Sequence, residues 1–169
     1  MDPIVMRRNP PEGSYEAPLE KILVELEKDA WHGYATESLW VEKVGRNRYR
    51  LRNVPFYADG LSIEDIVVAT DGPAKRVVSE VAERGGHSTY RLFLQSGIDT
   101  ESDAFREHWE PIENLGCTYE RATGRLLAVD VRPRADICEV YRLLERGADV
   151  GVWDFEEGHC GHPLGGEAI

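Results

Sequence analysis

The chain has 169 residues, 41% of them apolar, with 20 basic against 31 acidic side chains and a formal charge of −11. That length and apolar share suffice for a buried core in one domain or two small ones. The charge argues against nucleic acid and anionic membrane surfaces, which are bound by cationic neutralisation, and suits a solvated acidic protein or one with a cationic partner.

In chain order, residues 1–17 carry Pro3, Pro10, Pro11 and Gly13 with few apolar anchors, and read as a flexible arm with no run long enough for a signal peptide. Residues 18–34 place Leu19, Ile22, Leu23 and Leu26 at helical spacing, which predicts a short amphipathic helix. Residues 35–86 change to short β-like runs, Leu39–Val44, Arg48–Asn53, Ile63–Thr70 and Arg76–Val81, with turn signals between them. They predict a small antiparallel, barrel-like subdomain. Within it Asn53-Val54-Pro55-Phe56-Tyr57 interrupts the pattern, because proline removes a ladder donor and leaves Phe56 and Tyr57 on a bend. Those rings either line a cleft or plug a layer.

Residues 87–158 read strand, helix, strand, strand, helix, strand. Tyr90, Leu92 and Leu94 alternate on the first strand, and Phe105, Trp109 and Ile112 recur at helical spacing, with Pro111 expected to kink or restart that helix. A hairpin follows across Ala122-Thr123-Gly124; then Asp136 caps a second helix that Gly147 is expected to end, before a closing strand over 150–155. The predicted class is α+β, with the barrel-like half packed on a ferredoxin-like βαββαβ half. Residues 159–169 complete the chain as a polar tail. The odd, widely spaced Cys117, Cys138 and Cys160 argue against a disulfide framework and for a reducing, bacterial-type cytoplasm.

One segment carries more chemistry than a strand needs. Gly85-Gly86-His87-Ser88-Thr89-Tyr90-Arg91 sets an imidazole, two hydroxyls and a guanidinium behind a pair of glycines. If the last strand of the second half pairs with its first, His87 and Ser88 come beside Glu156, Glu157, His159 and Cys160. Alternation then turns Thr89 and Arg91 away from the helices, where Arg91 requires a carboxylate or a ligand anion. Adjacent positions on a strand point to opposite sides, so His87 cannot serve Ser88 as its base. The binding candidates are therefore His87, Ser88, Thr89, Arg91, Asn53, Phe56, Tyr57 and Glu156. His159, Cys160 and His162 form a second set with the donor types of a zinc site but not a standard zinc spacing. No other cofactor is evident, since the chain holds no dinucleotide, P-loop or zinc-protease motif.

The blocks Asn53-Val54-Pro55-Phe56-Tyr57, Asp65-Ile66-Val67, Gly86-His87-Ser88-Thr89-Tyr90-Arg91 and Trp153-Asp154-Phe155-Glu156-Glu157, in that order, resemble the bacterial proteins grouped as domain-of-unknown-function family 4265. The resemblance spans about Leu39 to Gly158. It implies a soluble bacterial protein, no established activity and no transferable catalytic residue. One departure stands at Glu64, where a glycine before the aspartate is expected.

Without a complete catalytic set, the leading expectation is a non-catalytic binding or interaction module for a protein or a small anionic ligand. An acidic inhibitor or immunity-type protein that neutralises a basic toxin is its concrete form. The alternatives are a small hydrolase or transferase using His87 and Arg91 on an anionic substrate, and a metal-binding protein built on His159, Cys160 and His162. Oligomeric state is not legible in one sequence.

Overall fold

The computed structural model describes residues 4–6, 9–122 and 124–164. The chain is a mixed α+β protein, mostly strands with two helices, and it divides into two compact units, Met1–Gly85 and Gly86–Ile169. No helix among the described residues is long and apolar enough to cross a membrane.

The first unit is a sheet of β1 (Ile4–Met6), β2 (Leu19–Glu25), β3 (Thr36–Gly45), β4 (Arg48–Leu51), β5 (Ile66–Asp71) and β6 (Arg76–Glu83). Its strand order is β1-β3-β2-β6-β5-β4, and β4 also pairs with β3, so the pairings of five strands return on themselves. The sheet is not purely antiparallel as predicted, because β1 runs parallel to β3 and β2 parallel to β6. Ile22, Leu39, Val41, Tyr49, Leu51 and Val67 form its core.

The helix expected over 18–34 is instead strand β2, paired along its whole length with β3. The segment's apolar residues carry both periods: Leu19, Ile22, Leu23 and Leu26 recur at helical spacing, while Ile22 and Val24 alternate and are the two strand positions buried. Two β-branched residues and seven paired positions on β3 favour the extended form. That strand belongs to the first unit, whose boundary falls after Gly85. Nor is the predicted arm loose where it is described. The amides of Glu16 and Ala17 donate to the Glu42 carboxylate at 2.6 and 3.2 Å, and the Arg52 guanidinium stacks over Tyr15. Of this arm, residues 1–3, 7 and 8 lie outside the described residues.

The second unit runs β7 (Ser88–Leu94), α1 (Asp103–Asn114), β8 (Cys117–Arg121), β9 (Leu126–Val131), α2 (Ile137–Asp149) and β10 (Trp153–His159). Its sheet has the order β10-β7-β9-β8, all neighbours antiparallel. Helix α1 continues through Pro111. Asp136 caps α2 as predicted, its carboxylate accepting from the amides of Cys138 and Glu139 at 3.1 Å. Gly147 does not end that helix. It lies inside it because a Cβ there would overlap the Trp153 indole, and the turn out of the helix falls at Gly151, with φ of 79°. Trp153 is fully buried and donates from Nε1 to the Leu144 carbonyl at 2.9 Å. Tyr90, Leu92 and Leu94 join the helices in this core, as alternation predicts. Of the predicted hairpin turn, Thr123 lies outside the described residues.

Candidate functional site

The antiparallel pairing of β7 with β10 sets Thr89 opposite His159, Tyr90 opposite Glu157 and Arg91 opposite Glu156, with a bulge at Gly158. Beyond β10 the chain turns back across the start of β7. The predicted tail over 159–169 is thus tied down as far as His162: His159 ends β10, and His162 is buried. Residues 165–169 lie outside the described residues. Gly161 passes so close to the His87 carbonyl that only glycine fits.

Ser88 is the knot of this crossing. Its Oγ accepts from the amides of Gly161 at 2.9 Å and His162 at 3.3 Å, and it lies 2.6 Å from His162 Nδ1. His162 Nε2 lies 2.8 Å from the Arg132 carbonyl, which can only accept. The proton therefore sits on Nε2, and Nδ1 accepts from the Ser88 hydroxyl. The pair has the make-up of a nucleophile and its base. Ser88 is nevertheless 0% exposed and both its lone pairs are taken, so the arrangement fastens the chain rather than attacking a substrate.

His87 turns to a different partner. Its Nδ1 lies 2.7 Å from Asp130 Oδ1, and no second partner holds its Nε2 among the described residues. Asp130 escaped the sequence reading. Its signal was a single carboxylate in the otherwise apolar run Leu126–Val131, which is buried throughout. The same buried carboxylate acts on Cys117 of the neighbouring strand: burial first, then the negative charge of Asp130, pushes that thiol up to about 12.

Arg91 is 2% exposed and its Nη1 donates to Glu156 Oε1 at 3.0 Å, so a carboxylate meets this buried charge. Next to it the Tyr90 hydroxyl donates to Glu157 Oε1 at 3.1 Å. Burial, reinforced by Glu157, raises the Tyr90 phenol far above its ordinary range, so it stays a donor. Thr89, also buried, lies between Ser88 and Tyr90 on β7. Cys160 donates from Sγ to the His162 carbonyl at 3.5 Å. With both His162 nitrogens engaged, His159, Cys160 and His162 do not converge as ligands, and among the described residues no group of three or more His, Cys, Asp or Glu could hold a metal ion.

Asn53, Phe56 and Tyr57 belong to the first unit. Asn53 Oδ1 accepts from the Trp40 amide at 2.7 Å, pinning the bend to β3. The amides of Phe56, Tyr57 and Ala58 all donate to the buried Glu37 carboxylate, at 2.6, 3.0 and 2.9 Å. Glu37 is a second residue with no role legible in the sequence, since it stands between Thr36 and Ser38, ahead of the apolar run that begins at Leu39. Phe56 is buried, while Tyr57 touches the rings of His32 and Tyr34, with centroids 4.7 and 4.9 Å apart.

The Asp65 turn explains the departure at Glu64. Asp65 accepts from the amides of Ser62 and Gly85 at 2.9 and 3.0 Å and from Arg84 at 2.9 Å. To reach this position the chain carries Glu64 through φ of 73°, a left-handed conformation that glycine adopts without strain. Gly85 packs so closely on the Glu64 backbone that a Cβ would lie 2.7 Å from its carbonyl oxygen.

The model of the domain of unknown function DUF4265 matches residues 37–155. The chain belongs to the DUF4265 family. This DUF4265 chain also shares its fold with the crystal structure of a hypothetical protein from Neisseria gonorrhoeae, with a TM-score of 0.73 at 16% identity, over 87% of this chain and 99% of that one. No curated protein matches it.

Proposed function

We propose that this protein is a non-catalytic interaction module that engages a basic protein partner, in the manner of an acidic inhibitor or immunity-type protein. The observation that carries the reading is the Arg91–Glu156 pair, in which the cation of the polar cluster is met inside the chain. An anion-binding role would need that charge available. The formal charge of −11 supports a cationic partner by the same electrostatics. The test immobilises the purified chain, identifies proteins retained at low salt, and re-forms each pair from purified components. A basic protein that forms a defined complex weakened by salt and indifferent to His87→Ala is the expected result. Recovery of no such pair rejects the reading.

A second reading rests on the 2.7 Å His87–Asp130 contact, which orients an imidazole as a general base for a small hydrolase or transferase. Its test is a hydrolase and transferase substrate screen comparing the parent with His87→Gln and Asp130→Asn. Equal rates across the three reject it.

The finer architecture forms part of the proposal. The strand order β10-β7-β9-β8 with two intervening helices supports a ferredoxin-like second unit, and the returning pairings β3-β2-β6-β5-β4 support a small closed barrel in the first.

A further inference from the structure

Strand β10 closes one side of its sheet, and along it an open groove of about 470 Å³ runs against α2. Its walls are aromatic: Tyr141, 43% exposed, meets Phe155 edge-on at 5.5 Å. Its rim is acidic, with Glu145 and Asp149 from the helix and Glu156 and Glu157 from the strand. The strand acids are already held, by Arg91 and Tyr90. Glu145 and Asp149 have no ion-pair partner among the described residues.

That pair is costly to the fold on its own. Like charges four positions apart on a helix repel, and an acid in the last turn opposes the helix dipole. Arg146, the basic residue of that turn, does not line the groove. A cation in the groove offsets both penalties, and the half-exposed Tyr141 ring adds cation–π attraction. Among the described residues the outer side of β10 pairs with no strand, which leaves main-chain groups able to accept an added one. A second copy of this chain fits poorly there, since Asp154, Glu156 and Glu157 would meet their own acidic counterparts.

We propose that the groove between β10 and α2 docks an extended lysine- or arginine-bearing segment of the partner protein, laid along β10 with a basic side chain beside the Tyr141–Phe155 pair and facing Glu145 and Asp149. This rests on the reading of the protein as a module for a basic partner, and it specifies the face used.

The test is an NMR titration of the full chain with a synthetic peptide of alternating lysine and valine, beside spermine and an alternating glutamate–valine peptide. The expected result is perturbation centred on Tyr141, Phe155 and the α2 C-terminal turn. Affinity should fall about tenfold in Glu145→Lys/Asp149→Lys and less than about twofold in the charge-matched Glu107→Lys/Glu110→Lys on α1. Thermal melts establish that each variant is folded. Equal losses in the two double variants, perturbation centred elsewhere, or spermine binding as tightly as the peptide overturns the groove while leaving a basic partner in place. If neither cationic probe binds, the basic-partner reading fails with it.

Discussion

Ser88 and His162, separated by 74 positions in sequence, meet through a 2.6 Å hydrogen bond buried from solvent. Removing the hydroxyl in Ser88→Ala orphans His162 Nδ1 and the amides of Gly161 and His162 together. Each buried polar group left unpaired costs about 1–3 kcal/mol, and the three share one hydroxyl, so a total of about 2–4 kcal/mol is expected. Urea denaturation should show the loss as a lower midpoint with an unchanged slope. Hydrogen exchange at Gly161 should accelerate at the same time.

Gly147→Ala tests the packing of α2 on β10. In an ordinary helix interior this change gains roughly 0.5–1 kcal/mol. Here the added methyl overlaps the Trp153 indole, and overpacking of a tight core costs about 1–3 kcal/mol. Net destabilisation with a shifted Trp153 fluorescence spectrum is the expected outcome. A stabilised variant with an unchanged spectrum contradicts the close contact.

Glu64→Gly should relieve the left-handed φ of 73°, a gain of about 1 kcal/mol. The partly exposed 2.7 Å ion pair with Arg52 is lost in exchange, at about 0.2–1 kcal/mol. Thermal melts in high salt, where the pair is already weakened, should show the larger gain.

Glu42 accounts for one part of the response to acid. Its hydrogen bond from Arg52, assisted by the Glu16 and Ala17 amides, holds the carboxyl below its ordinary value of 4.5 despite burial. A carboxylate depressed in the folded state contributes stability that is complete above its unfolded value and is lost as pH falls through the folded one. The gap between the parent and Glu42→Gln should therefore be widest near neutrality and shrink below pH 4.5. Denaturation curves at stepped pH measure it.

Cysteine labelling checks the burial of β8. With its thiol raised to about 12, Cys117 stays protonated and should resist iodoacetamide at pH 8 until the chain is unfolded. Exposed Cys138 should react first. Mass spectrometry of partially labelled protein gives the order.

Patterns that depend on periodicity and turn chemistry were legible in the sequence. The order of the second unit followed from them, and with it the adjacency of His87 and Ser88 to the chain beyond β10. Patterns compatible with two periods were not, which is why β2 reads as a helix until seven paired positions on β3 select the extended form. Pairings between polar side chains were less visible still. Nothing local distinguishes Asp130 as the partner of His87, or His162 as the partner of Ser88, because both are created by strands that meet only in the folded chain. Glu64 shows the converse case, where an expected glycine marked a left-handed position that a different residue occupies under strain.

The central place of β7 between β10 and β9 also governs how the second unit assembles. The first strand of this unit gains one of its two neighbours only when a segment more than sixty positions downstream arrives. Pairings of such long range close slowly, because chain entropy must be given up before any contact is gained. Rapid early helix signals followed by a late, single step that orders β7, β10 and the Ser88 crossing together are the kinetic signature of that arrangement.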